Sequence, residues 1–310
     1  MSWERLALGD FARLFGTHED EITEDCREYI AEADFRFRRL ADDERATVLR
    51  DVLSRIASPE FDVAGPDRLA KWERGWGENL NGLREGKDLD ALVPRYIRPG
   101  QPVRLDRDYV MPLDPSFELQ WFAVFRRWLF RTYFEAADAV YEFGCGSGFN
   151  LAECARLYPT KEYVGLDWAK ASTDIVDELG ERYGWRMRGV PFDFFNPDEA
   201  VKLRDNAVVF TVGALEQTGT NHGAFVDYLL DAAPALVVHV EPIVEWYDAD
   251  HPIDDAAIRF HRRRGYWSGF PERLRALEEE GRVRILKTQR AHFGSLYIEG
   301  YSQLIWMPVE

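Results

Sequence analysis

The sequence predicts an α/β fold: a doubly wound, mostly parallel sheet of seven strands with an antiparallel last strand, preceded by a helical N-terminal cap. Between residues 138 and 240, short apolar runs alternate with amphipathic helical segments. Such βα units form parallel sheets with helices on both faces. Further on, the runs VRILKTQR and GYSQLIWMPV are separated only by AHFGSLYIE, and so short a connection favours an antiparallel pair at the sheet edge.

Residues 1–116 are expected to form the helical cap and to cover the substrate. Up to about residue 56, apolar residues recur at three- and four-residue spacing, which indicates amphipathic helices. Residues 57–116 are rich in proline and glycine and have no strong period. An irregular segment of that length is unusual unless it covers a site. The main domain is expected to span residues 117–310, beginning with an aromatic-rich helix at 117–134.

The remaining elements of the main domain follow from the same alternation. Strands are predicted at 138–143, 162–166, 187–192, 206–212 and 235–240. Helices are predicted at 149–158, 170–182, near 197–203, 222–232, 253–264 and 271–280. The insertion 242–281, between the fifth and sixth strands, is longer than a simple crossover requires.

Composition argues against several classes of partner. The net charge of −16 disfavours nucleic acid, because proteins that track phosphates usually carry a basic surface. Three cysteines without a close pair indicate a reduced, cytoplasmic protein. The charged N-terminus does not resemble a signal peptide, and no apolar run is long enough to span a membrane. We therefore expect a cytoplasmic protein with a small-molecule substrate, no metal and no membrane or nucleic-acid partner; its oligomeric state stays open.

A glycine-rich loop follows the first predicted strand of the main domain. It reads Glu142-Phe-Gly144-Cys-Gly146-Ser-Gly148 and lies where the strand turns into a helix. Glycines let the backbone bend tightly there, and the free N–H groups of the helix attract polar or anionic ligands. A dinucleotide fingerprint requires a further glycine where this chain has Phe149. This spacing therefore disfavours NAD.

The loop resembles motif I of the class I S-adenosylmethionine-dependent methyltransferases, which have a Rossmann-like fold. The resemblance covers roughly residues 117–310 and implies S-adenosyl-L-methionine as cofactor. It implies that Asp167, at the end of the second strand, binds the ribose hydroxyls, and that Asp193 and Phe194 contact adenine. It also implies that the insertion 242–281 shapes the acceptor pocket. The cofactor-binding residues expected on this basis are Glu142, Gly144, Gly146, Gly148, Asn150, Asp167, Trp168, Asp193, Phe194, Val212 and Gly213.

Three residues near the predicted strand ends are candidates for catalysis. His239 and Glu241 are two residues apart on a strand and would share one face, as a general base and its orienting partner. A structural histidine explains His239 equally well. Glu216, after the fourth strand, would orient a polar acceptor, or else belongs to a helix-initiating turn.

Four residues are candidates for binding the substrate: Tyr109, Trp246, Arg264 and Tyr266. Arginine binds carboxylates or phosphates through two parallel hydrogen bonds, and aromatic rings stack on flat acceptors. The competing interpretation of the basic run HRRRGYW is a helix C-terminus whose cations complement the helix dipole.

The predicted function is methyl transfer from S-adenosylmethionine to oxygen, nitrogen or carbon of a small polar molecule. The fourth strand lacks the Asn/Asp-Pro-Pro-aromatic motif of enzymes that methylate nucleobase amines. Two alternatives remain at this point. One is a non-catalytic binding or regulatory protein with the same fold, and the other is a different transfer reaction, such as aminopropyl transfer.

Overall fold

The computed structural model describes residues 2–309 and contains two sheets of different kinds. The strands are β1 Glu4–Arg5, β2 Arg36–Arg39, β3 Val103–Leu105, β4 Asp108–Pro112, β5 Ala139–Phe143, β6 Glu162–Asp167, β7 Met187–Pro191, β8 Ala207–Val212, β9 Leu236–Val240, β10 Val283–Gln289, β11 Phe293–Gly294 and β12 Gln303–Pro308. The α-helices are α1 Leu8–Phe15, α2 Glu24–Glu32, α3 Asp42–Ala57, α4 Leu69–Gly82, α5 Phe117–Tyr133, α6 Phe149–Leu157, α7 Lys170–Tyr183, α8 Gly223–Ala232, α9 Pro252–Arg264 and α10 Phe270–Glu279.

The larger sheet has seven strands in the order β10-β12-β9-β8-β5-β6-β7. Its strands are parallel except β12, which runs antiparallel to both of its neighbours. Apolar side chains of β5 point to both faces: one face packs against α5, α6 and α7, and the other against α8 and α10. Burial on both faces explains why these strands read as continuous apolar runs in the sequence. The predicted doubly wound fold with an antiparallel last strand is confirmed.

The N-terminal region is not wholly helical, which corrects the expectation of a helical cap. It contains α1 to α4 together with β1 to β4, which belong to an antiparallel five-stranded sheet in the order β1-β2-β4-β3-β11. Phe37 of β2 is buried between two more exposed neighbours, an alternation too short to stand out beside the helical periodicity. The fifth strand, β11, comes from the connection between β10 and β12 and pairs Phe293 with Leu105.

A second correction concerns the helix expected near 197–203. This segment forms turns, one of them closed by the Val201 amide donating to the Asp198 carbonyl at 3.0 Å. Within residues 2–309, none of the helices combines the length and the apolar character required to cross a bilayer.

Candidate functional site

A cavity of about 470 Å³ lies where the parallel strands of the larger sheet end. One wall consists of the glycine loop after β5 together with Val212 and Gly213 at the end of β8. The N-terminal region supplies Trp76 and Tyr96, and the C-terminal part of the chain supplies Tyr301. Ligands of open α/β sheets bind at this edge, so the position of the cavity marks it as the candidate site.

The glycine loop adopts a backbone conformation with positive φ angles, which residues other than glycine adopt only with strain. Gly144 and Gly146 line the cavity with φ of 73° and 53°. A Cβ atom on Gly144 would overlap the Cβ of Ala214, and one on Gly146 would lie 2.8 Å from ring carbon Cζ2 of Trp76. Gly148 differs, because its α-carbon faces Leu179 of α7 and it lines neither ligand cavity. Gly148 therefore permits close packing rather than ligand contact.

Asp167 closes the glycine loop from the end of β6. Its carboxylate accepts hydrogen bonds from the amides of Gly146 and Ala169, each at 2.9 Å. Burial raises its pKa to about 6, although both amide bonds oppose the shift. Each carboxylate oxygen retains a lone pair, so the group can also accept hydroxyl protons from a ligand.

Asp167 also borders a second cavity of about 70 Å³, together with Trp168, Asp193 and Phe194. The Asp193 carboxylate accepts a hydrogen bond of 2.9 Å from the Phe195 amide, which fixes its orientation. Both cavities touch Gly144, Gly213 and the stacked rings of Trp72 and Trp76, whose centroids lie 5.6 Å apart. The two cavities are therefore neighbours that share this tryptophan pair in their lining.

Glu142 and Asn150 form a buried pair beside the loop. The Asn150 side-chain amide donates to Glu142 Oε1 at 2.7 Å. The other oxygen, Oε2, is buried and has no hydrogen-bond partner among residues 2–309. Burial raises the pKa of Glu142 to about 8. An unpaired buried carboxylate is costly, so this oxygen is suited to a cationic ligand.

These residues fit S-adenosylmethionine. Glu142 Oε2 offers an unused acceptor for the ammonium of its methionine part, and the glycine backbone leaves room for its chain. Asp167 offers acceptors for two hydroxyl groups at the boundary of the second cavity. The smaller cavity is lined largely by aromatic residues, which suits a flat base.

Glu216 and Glu241 lie next to each other, but only Glu216 reaches the cavity. Glu241 accepts hydrogen bonds from the amides of Ala214 and Leu215 at 3.1 and 3.0 Å, and so caps the short 3₁₀-helix Leu215–Thr218. Burial, with the adjacent Glu216, raises the pKa of Glu241. Glu241 is a structural cap rather than a group that touches substrate, contrary to its predicted catalytic role.

His239 lies outside the cavity, which corrects the proposed His239–Glu241 base pair. Its Nδ1 lies 2.9 Å from the hydroxyl of Thr211. Its ring packs against Trp267 and Phe270, in the apolar core on the face of the sheet that is covered by α8 and α10. Burial lowers its pKa to about 3, so the imidazole is neutral. The sequence indicated the strand end correctly but not which face the side chain occupies.

The predicted substrate-binding residues divide into two pairs. Arg264 and Tyr266 line the cavity, and Arg264 donates to the carbonyl of Asp62 at 2.9 Å. Tyr109 is fully buried in a separate apolar cluster between α3 and α9. Trp246 lies outside both cavities and accepts a hydrogen bond from Arg290 at its carbonyl. The assignments of Tyr109 and Trp246 to the substrate site are therefore corrected.

The cavity residues that sequence reasoning missed include Glu118 and Tyr301. The Tyr301 hydroxyl donates to Glu118 Oε1 at 3.1 Å. The sequence contained a sign that Glu118 has a special role, because it is an acidic residue on the buried aromatic face of α5, beside Trp121 and Phe122. A carboxylate in an apolar stripe requires an explanation, and its position at the cavity supplies one.

Neither the protein-family models nor the curated proteins include a match. Among solved structures, the chain is similar to a geranyl diphosphate methyltransferase bound to GPP and sinefungin, with 13% identity, a TM-score of 0.46 and coverage of 78% of this chain and 98% of that one. It is also similar to an O-methyltransferase from Bacillus cereus bound to SAH, with 16% identity, a TM-score of 0.41 and coverage of 76% of this chain and 91% of that one. The small RNA methyltransferase HEN1 is similar with 18% identity, a TM-score of 0.42 and coverage of 59% of this chain and 24% of that one.

The identification of the fold rests on the molecule's own architecture. Seven strands occur in the expected arrangement, with β12 antiparallel. The motif I loop lies at the end of β5, and of the expected acidic residues Asp167 ends β6 and Asp193 follows β7. The chain has the fold of the class I S-adenosylmethionine-dependent methyltransferases.

Proposed function

We propose that the protein is an S-adenosylmethionine-dependent methyltransferase whose acceptor is a small molecule bound in the 470 Å³ cavity. One observation carries the proposal. The glycine loop and the half-paired Glu142 border the same cavity as the polar side chains of Glu216, Arg264 and Tyr266. A cofactor on the loop and an acceptor among these side chains would share one cavity.

Bound S-adenosylmethionine would supply a methyl group on a positively charged sulfur. Glu142, Asp167 and the loop amides would hold the cofactor, while Glu216, Arg264 and Tyr266 would orient the acceptor. The Glu216 carboxylate is itself oriented, because Gln217 Nε2 donates to its Oε1 at 2.7 Å and Arg68 donates to Gln217 Oε1 at 3.2 Å. Positioning of this kind contributes an effective molarity of roughly 10⁵ M or more to such reactions.

The N-terminal region, residues 1–116, would close this site over the acceptor. Trp72, Trp76 and Tyr96 line the cavity from that region. Two of the contacts that hold it in place lie beside the site: Ser147 of the loop donates to the Leu92 carbonyl at 2.5 Å, and the Glu73 carboxylate accepts the Ala171 amide at 3.2 Å. A concave, partly covered cavity in a chain of net charge −16 favours a small molecule over RNA.

Titration calorimetry with S-adenosylmethionine, S-adenosylhomocysteine and NAD tests the proposal. We expect the two sulfur nucleotides to bind, NAD not to bind, and Asp167→Ala to weaken the binding. Failure of both sulfur nucleotides to bind would overturn the proposed function. Binding without methyl transfer to any acceptor in a broad screen would favour the non-catalytic alternative.

A further inference from the structure

The acceptor part of the cavity is lined by buried carboxylates that have no positive partner. Glu118, Glu142 and Glu216 expose 3%, 1% and 4% of their surface, yet all three line the cavity. In each, one oxygen is paired with a neutral side chain and the other, Oε2, is buried without a hydrogen-bond partner among residues 2–309. Three such groups in one cavity are unusual, since buried acceptors are normally satisfied.

Tyr96 lines the same cavity as the three carboxylates and is half-exposed. Burial raises the pKa of its hydroxyl, Arg126 opposes the shift, and the charges of the three carboxylates add to it.

The arginines around this cluster make their contacts elsewhere, and Arg55 and Arg98, which also line the cavity, are exposed. Arg264 donates to the backbone carbonyl of Asp62, and Arg68 donates to Gln217. Arg126 is buried near Glu142, but its Nη1 bonds to the Phe149 carbonyl and lies 3.4 Å from Asn150 Oδ1. Within residues 2–309, none of the observed salt bridges involves the three carboxylates.

The proposed cofactor would use one of these acceptors. Its ammonium matches Glu142, which belongs to the loop end of the cavity. Glu118 of α5 and Glu216 of the 215–218 helix then remain, with aromatic side chains around them. The cavity's aromatic residues from the C-terminal half are Phe260, Tyr266, Tyr297 and Tyr301.

We propose that the acceptor is an amine with a flat apolar body, whose ammonium is bound by Glu118 and Glu216 and whose body lies among the tyrosines. Before methyl transfer, the ammonium would pass one proton to one of these carboxylates, which frees the nitrogen lone pair for the new bond to the methyl carbon. S-adenosylhomocysteine would then be the leaving group. Hydrogen bonds to charged partners are the strong ones, and aromatic faces attract cations as well as flat groups. An anionic compound of the same shape would meet two buried carboxylates and be excluded. This inference rests on the proposed function, since it assigns Glu142 to the cofactor.

The test compares amines with carboxylates of matched shape. Calorimetry would be run at pH 8, above the raised pKa of Glu118, on the full chain saturated with S-adenosylhomocysteine. The pairs are tryptamine against indole-3-propionate, benzylamine against benzoate, and phenethylamine against 3-phenylpropionate. We expect at least one amine to bind at least tenfold more tightly than its matched carboxylate. Glu118→Gln and Glu216→Gln should each weaken amine binding about tenfold and leave S-adenosylhomocysteine binding unchanged.

Glu60→Gln is the matched control, because Glu60 lines the same cavity but is exposed at its mouth. It should leave amine binding unchanged. If S-adenosylhomocysteine binds but no amine is preferred over its carboxylate, the inference is wrong and the proposed function stands. If S-adenosylhomocysteine does not bind, the proposed function itself fails. The wild-type comparison decides the question even if a Gln variant does not fold.

Discussion

The backbone amide of Gly146 donates a hydrogen bond of 2.9 Å to the Asp167 carboxylate, which joins the glycine loop to the end of the adjacent strand. The bond spans two βα turns that are 21 residues apart in the chain. It fixes the Asp167 carboxylate at the edge of the smaller cavity, while Gly146 lines the larger one. The loop and the acidic residue are therefore one structural unit.

Asp167→Ala should weaken binding of S-adenosylhomocysteine. The variant loses an acceptor for the ligand hydroxyls and also the support of the Gly146 amide. We expect a loss of about 1.5–3 kcal/mol for each hydrogen bond to the carboxylate, measured by titration calorimetry. Asp174→Ala, which removes a carboxylate from the outer surface of α7, is the control. Equal affinity of Asp167→Ala and wild type would remove Asp167 from the site.

Gly146→Ala should destabilise the protein through two separable effects. An alanine at φ 53° costs about 1 kcal/mol in backbone strain, and its Cβ would meet the Trp76 ring. Chemical denaturation should show that Gly146→Ala costs less in a Trp76→Ala background than in the wild type. An identical cost in both backgrounds would show that the ring is not in contact with the loop.

Trp76→Ala should speed association of S-adenosylhomocysteine. The stacked Trp72 and Trp76 rings border both cavities, so an elongated ligand that occupies both must pass them. Surface plasmon resonance would measure the association rate constant, with exposed Trp3→Ala as the control. An unchanged rate would mean that the tryptophan pair does not limit entry.

Glu118→Gln should stabilise the unliganded protein, and more so as the pH rises. Burial raises the pKa of Glu118 from 4.5 to about 7, opposed by the Tyr301 hydroxyl. Between these values the unfolded chain releases a proton that the folded chain retains, so wild-type stability falls as the pH rises from 4.5 to 7. A shift of this size corresponds to about 3 kcal/mol.

The measurement is thermal and urea unfolding of Glu118→Gln and wild type at pH 5 and pH 8. The advantage of the variant should grow toward pH 8, because glutamine does not ionise. Glu181→Gln, an exposed change on α7, should show no such trend. A constant difference between Glu118→Gln and wild type would indicate that Glu118 is ionised throughout.

The parts of the site that could be predicted from the sequence are those formed by local geometry. The glycine loop, Asp167 and Asp193 each follow a strand directly, and parallel strands bring such turns to one edge. His239 was misplaced because a strand buried on both faces does not reveal which face holds the ligand. The two-residue period of a strand shows which side chains share a face of the sheet, but not which of the two faces borders the ligand site.

The part of the cavity proposed to bind the acceptor could not be predicted, because it is formed by residues that are far apart in the sequence. Tyr301 meets Glu118 across 183 residues of chain, and neither lies in a recognisable motif. Tyr109 was misplaced for a related reason. Its strand β4 belongs to a sheet that is completed only by β11, so an aromatic residue in an irregular segment proved to be core rather than cavity.

The pairing of β11 with β3 has a consequence for synthesis of the chain. Residues 103–105 leave the ribosome long before residues 293–294, so β3 must wait for almost two hundred further residues to be translated. During that interval its free edge is open to pairing with other nascent chains. The small sheet can close only when the last hairpin forms. A chaperone that shields this edge during elongation would therefore raise the yield of folded protein.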